Sequence, residues 1–133
     1  MTGVQTCALP ISIQTEVHDI DALRAACHEL GVLLLDDAEA RGYGSNRRHG
    51  DHVIRLKGPY DVAVNREETG TYGLTTDWWG GHVEQEVGKN YGGLLQLYGV
   101  HKTVLEARRR GFSVRRQQQK DGAIKLSIGG VTA

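Results

Sequence analysis

The spacing of apolar residues divides the chain into alternating strand and helix signals. Ser12 to Val17 sets Ile13 and Val17 among polar residues and predicts a first strand. Leu23, Ala26, Cys27 and Leu30 recur at i, i+3, i+4 and i+7, the stripe of an amphipathic helix. Asp19 is placed to accept from N–H groups of its first turn, and Gly31 to end it in a left-handed conformation. Val32 to Leu35 is an unbroken apolar run, read as a short buried strand. Asp36 to Gly50 holds acidic residues and then RGYGSNRRHG, a polar, glycine-rich stretch that predicts an exposed irregular loop. His52 to Leu56, Tyr60 to Asn65 and Thr71 to Thr76 read as three strands separated by turns, close enough to favour antiparallel hairpins.

The DWWGG run from Asp77 to Gly81 ends this sheet signal. Val83 to Asn90 begins a helix that Gly88, Gly92 and Gly93 weaken, whereas Leu94, Leu97, Tyr98, His101 and Leu105 form a firmer helical stripe that Gly111 closes. Arg108, Arg109 and Arg110 fall in its last turn, where positive charge meets the negative end of the helix dipole. Phe112 to Gln118 and Ala123 to Ile128 then pair across Asp121-Gly122, a tight-turn dipeptide. The order β-α-β-β-β-β-α-β-β predicts an α+β fold, a single domain with a mainly antiparallel sheet and two principal helices packed on it.

Composition narrows this picture. Thr2 to Ile11, TGVQTCALPI, reads as a translated sequencing-library adapter, which sets residues 1–11 apart as a non-native segment, leaves a single domain over 12–129 and assigns 130–133 to a tail. Of the two cysteines, Cys7 falls in that segment, so Cys27 stands alone and a disulfide framework is not expected. No apolar run approaches the roughly 20 residues of a membrane span, and the cytoplasm is the expected location. The net charge of zero hides a segregation: from His101 onward eight Lys and Arg face only Glu106 and Asp121.

Several pieces carry a family resemblance. They are SIQTEVHDIDALRAACHELG at the start, RGYG, VIR at Val53 to Arg55, YDVAVN at Tyr60 to Asn65, TYGLTTDWWG, VHKTVLEARRRGFSV and the closing DGAIKLSI. In this order and spacing the chain resembles the family of hypothetical chloroplast reading frame thirty-five, a domain of unknown function with members in plastids, bacteria and phages. The resemblance implies a small cytosolic or plastid-stromal α+β domain and supplies no catalytic residues. It also implies work beside other small proteins and ATPases of the AAA type.

The residues themselves offer three kinds of chemistry. Arg41, Tyr43, Arg47 and Arg48 form an arginine and aromatic loop, and Trp78 and Trp79 mark a sheet exit; these side-chain types anchor interfaces, so a binding or adaptor module for another protein is the leading expectation. His49, Asp51 and His52 place two imidazoles and a carboxylate within four residues, a zinc-type donor set that with Asp77 defines the alternative of a small metal protein or enzyme. Arg47, Arg48, Arg108 to Arg110, Arg115 and Arg116 define the third, an electrostatic nucleic-acid surface. Catalytic residues are expected to be absent. Cys27 sits on an apolar stripe, the pairs Asp36-Asp37 and Glu67-Glu68 are solvated, and no nucleophile elbow, Walker loop or dinucleotide fingerprint occurs.

Overall fold

The computed structural model describes residues 11–14 and 17–131, with side chains from 17 to 129. Its elements are β1 (Ile11–Gln14), α1 (Ile20–Leu30), β2 (Leu33–Arg41), β3 (Arg47–Arg55), β4 (Val62–Arg66), β5 (Tyr72–Thr76), α2 (His82–Val87), α3 (Gly92–Arg109), β6 (Phe112–Gln118) and β7 (Ile124–Val131). Short 3-10 turns at Trp79–Gly81 and Lys89–Tyr91 precede α2 and α3. The α+β prediction holds, and the order of the principal elements is the expected one. Ile11 opens β1, and residues 130–131 close β7.

The main sheet is antiparallel, in the order β1-β5-β4-β3-β2. Its first two strands lie at opposite edges, so α1 must carry the chain across one face between them. Asp19 caps α1 by accepting from the Ala22 amide at 3.2 Å, and Gly31 ends it at φ 81°. The stripe of α1 meets Leu34, Ile54, Val62, Val64 and Leu74 from the sheet, joined by Val83 and Val87 of α2 and Leu94 and Tyr98 of α3. Burying each large aliphatic side chain here stabilises the fold by roughly 1.5–3 kcal/mol. Tyr98 also locks α3 onto the start of α1, its hydroxyl accepting from the His18 and Asp19 amides at 3.1 and 3.2 Å. A second, smaller cluster of Ala40, Val53 and Ala63 fills the outer face.

Two expectations are corrected. Asp36 to Gly50 is not an irregular loop: β2 extends to Arg41 and pairs with β3 from Leu33 opposite Arg55 to Arg41 opposite Arg47, interrupted only at Asp37, whose φ is 47°. Composition concealed a strand because β2 is an edge strand, free to carry charge on its solvent side. Cross-strand pairs replace apolar contacts there, with His52 Nδ1 2.7 Å from Asp36 and His49 Nε2 2.6 Å from Asp37. Gly50 is required where the ladder kinks, since a Cβ would lie 2.4 Å from the His52 carbonyl oxygen.

The second correction concerns β6 and β7. They form a separate two-stranded sheet rather than an extension of the main one, and they pack on α3. Their turn is Lys120 to Gly122, closed by the Gln119 amide donating to the Ala123 carbonyl at 2.8 Å, one residue longer than the tight dipeptide turn expected. Arg116 ties this ribbon to the helices through a two-pronged bond to Glu29 of α1 at 2.9 and 2.6 Å, and His101 of α3 meets the same carboxylate at 2.7 Å. The guanidinium first, then the imidazole, outweigh the modest burial of Glu29 and hold its carboxyl down to about 2.

Candidate functional site

The tip of the β2–β3 hairpin and the turn after β5 meet at one end of the main sheet, and two buried aspartates explain why. Asp61 is 1% exposed, just ahead of β4. Its Oδ1 accepts from Arg41 Nη2 at 2.8 Å and from the Leu56 amide at 3.1 Å, and its Oδ2 accepts from the Arg41 amide and Nε, both at 2.9 Å. Arg55 Nε lies 3.0 Å from Oδ2 as an ion pair, but off the line of a hydrogen bond. Burial pushes the Asp61 carboxyl up, yet the Arg41 hydrogen bonds prevail and hold it below the usual carboxylate range. Arg41 Nη2 also donates to the carbonyls of Leu56 and Gly58, so this guanidinium is committed to holding the chain together.

Asp77, 3% exposed, does for the hairpin turn what Asp61 does for the end of β2 that leads into it. Its Oδ2 accepts from the Tyr43 amide at 2.7 Å, which fixes the tip against the turn that carries Trp78 and Trp79. The side chains of Tyr43 and Trp79 are consequently brought together, with ring centroids 5.8 Å apart at 83°. Both stay open to solvent, at 42% and 40% exposure. Trp78 turns the other way and packs against the fully buried Tyr91, centroids 4.9 Å apart. The 3-10 turn that begins at Trp79 thus divides the two tryptophans, one for the core and one for the surface.

The remaining residues of the arginine loop are peripheral to this pair. Arg47 is exposed and donates to the Asn46 carbonyl at 2.8 Å, and Arg48 is half-buried on β3. A cleft beside them, lined by Arg41, Asn46, Arg48, Asp61, Thr76 and Asp77, has a cavity volume of about 10 Å³. That is room for one water, whereas ligand pockets run to about 300 Å³ or more. This end of the sheet therefore presents a surface rather than a hollow.

The three residues of the metal alternative are placed on β3 but are turned to other partners. His49 and His52 pair with Asp37 and Asp36, while Asp51 Oδ2 accepts from the Arg66 amide at 2.9 Å. The Asp37 hydrogen bond raises the His49 pKa above its ordinary value. Among the described residues, no three His, Cys, Asp or Glu side chains converge as a ligand set. Cys27 is buried on α1, and loss of solvent pushes its thiol up to about 12, so the nucleophilic thiolate is scarcely populated at neutral pH.

Arg108 to Arg110, Arg115 and Arg116 lie at the end of α3 and on β6, apart in the chain from Arg47 and Arg48 at the hairpin tip. Sequence reasoning missed Asp61 altogether and treated Asp77 only as an accessory acid. A signal existed: Asp61 precedes the run Val62-Ala63-Val64, where a carboxylate is out of place unless a guanidinium meets it. No helix among the described residues is long and apolar enough to cross a membrane.

Comparisons with curated proteins and with solved structures gave no match. A family model does match over residues 26–127, from the middle of α1 to within β7, and so takes in the hairpin, both buried aspartates and the tryptophan turn. The chain belongs to that family, whose description is Protein of unknown function (DUF1257).

Proposed function

We propose that this protein is a non-catalytic binding or adaptor module that engages another protein through Tyr43 and Trp79, with Arg47 and Arg48 at their flank. One observation carries the reading: two large aromatic rings, from segments more than thirty residues apart, are held edge to face in solvent by a buried carboxylate beneath them. Aromatic and arginine side chains are the residues on which binding energy concentrates, because each offers wide contact and directed polar atoms. Fixing them before the partner arrives lowers the ordering cost of association. The neighbouring cleft, large enough for a single water, favours surface recognition over turnover of a substrate.

An ATPase of the AAA type is the first partner to test, by the family resemblance. The test compares affinity capture by the wild-type chain and by Tyr43→Ala/Trp79→Ala, each first shown to melt at the same temperature. The expected result is one recovered protein whose affinity falls at least tenfold in the variant, equivalent to about 1.4 kcal/mol. Equal recovery by both chains would remove this surface from the account.

A further inference from the structure

The β6–β7 ribbon has two unlike faces. Register places Val114 opposite Ile128, Arg116 opposite Leu126 and Gln118 opposite Ile124, and this is the side on which Val114, Ile124 and Leu126 are half-buried and Arg116 reaches Glu29. The other side carries Arg115 opposite Ser127 and Gln117 opposite Lys125, all exposed. It holds hydrogen-bond donors and positive charge, with no carboxylate and no apolar group. Lys120 adds charge at the turn, and Arg108 to Arg110 stand at the base of the ribbon.

Local acids neutralise only part of this charge: Arg109 lies 3.9 Å from Asp19. Glu106 is engaged by Lys102 at 2.9 Å, and Asp121 accepts from the Ala123 amide at 3.0 Å. Arg108, Arg115, Lys120 and Lys125 have no acidic partner within ion-pair distance among the described residues. The ribbon lies along α3, its turn held by Gln96 Nε2 donating to the Gly122 carbonyl at 3.1 Å, so that only the outer side is open; seven residues at about 3.3 Å each give it a length of roughly 23 Å.

We infer that this open face is a binding surface for double-stranded DNA, distinct from the Tyr43–Trp79 surface and independent of it. A two-stranded ribbon fits the major groove of B-form DNA, and Arg, Lys, Gln and Ser are side chains that contact phosphates and base edges there. The deep, narrow major groove of A-form RNA does not admit such an element. A single strand would call for exposed aromatic rings on which bases stack, and this face has none. The choice of a nucleic acid over an acidic protein rests on the same pattern, since alternating Arg, Gln and Lys with no apolar anchor lacks the buried hot spot of a protein interface.

The test is fluorescence anisotropy of the full chain with a labelled 20-base-pair duplex, the matching single strand and polyglutamate, over a series of salt concentrations. The duplex should bind tightest. Arg115→Gln/Lys125→Gln should weaken that binding by about tenfold and reduce the slope of log affinity against log salt by about 1.8, two phosphate contacts at 0.9 each. Lys89→Gln, an exposed charge elsewhere, should leave both values unchanged. Circular dichroism and melting of each variant establish that the ribbon remains folded. No duplex binding, equal or tighter binding of the single strand or polyglutamate, or indifference to the double substitution would each overturn the inference.

Discussion

Asp61 anchors the end of β2 beside the hairpin turn by accepting four hydrogen bonds, three of them from Arg41. Removing its carboxylate takes the counter-charge from a partly buried guanidinium and leaves Arg41 Nε and the Arg41 and Leu56 amides without their acceptor, a loss that typically costs about 3 kcal/mol or more. Asp61→Ala is accordingly expected to lower the urea midpoint by an amount equivalent to about 3 kcal/mol, and Asp61→Asn by less, since one oxygen still accepts. A loss below about 1 kcal/mol for the alanine variant would mean that the Leu56 and Gly58 carbonyls suffice for Arg41 and that the end of β2 does not depend on this pair. At this scale the sequence was only partly legible. The core residues of α1, its Asp19 cap and its Gly31 stop could be read from spacing, whereas Asp61 and Arg41 are twenty positions apart and reveal their relation only once β2 is known to reach Arg41.

Among elements, the contact that matters for the ribbon is Glu29, where α1, α3 and β6 meet. The Glu29 carboxyl is held down from its ordinary 4.5 to about 2, so its contribution is complete above pH 4.5 and is lost as pH falls through that window toward 2. Hydrogen exchange of β6 and β7 amides is expected to accelerate over this range more than that of β4, and Glu29→Gln should flatten the difference. Equal acceleration in both sheets would show that the ribbon is not held separately. The limits of prediction at this scale have a physical cause as well. Strand and helix periods revealed β4, β5, α3 and β6, but charged alternation on the edge strand β2 resembled a loop, and nothing in the local pattern of β6 and β7 says which sheet they join.

Across the whole molecule, acidic and basic character are segregated along the chain, and the outward features lie on two different elements. The helix-covered face of the sheet is filled by aliphatic side chains, leaving the hairpin tip and the ribbon as the places where polar and aromatic groups are organised. The sequence singled out Tyr43, Trp78 and Trp79 as side chains of interface type but could not separate Trp79 from Trp78, because only the 3-10 turn sends one ring inward and the other out. The central claim, that the surface around Tyr43 and Trp79 receives a protein partner, is tested most directly by placing a photoreactive amino acid at Ser45 and, as a control, at Glu68, both exposed turn positions. Irradiation in the native host extract is expected to yield one discrete protein adduct from Ser45, absent from Glu68 and lost when Tyr43 and Trp79 are both alanine. Adducts of the same identity and yield from both positions, or none from either, would contradict the account.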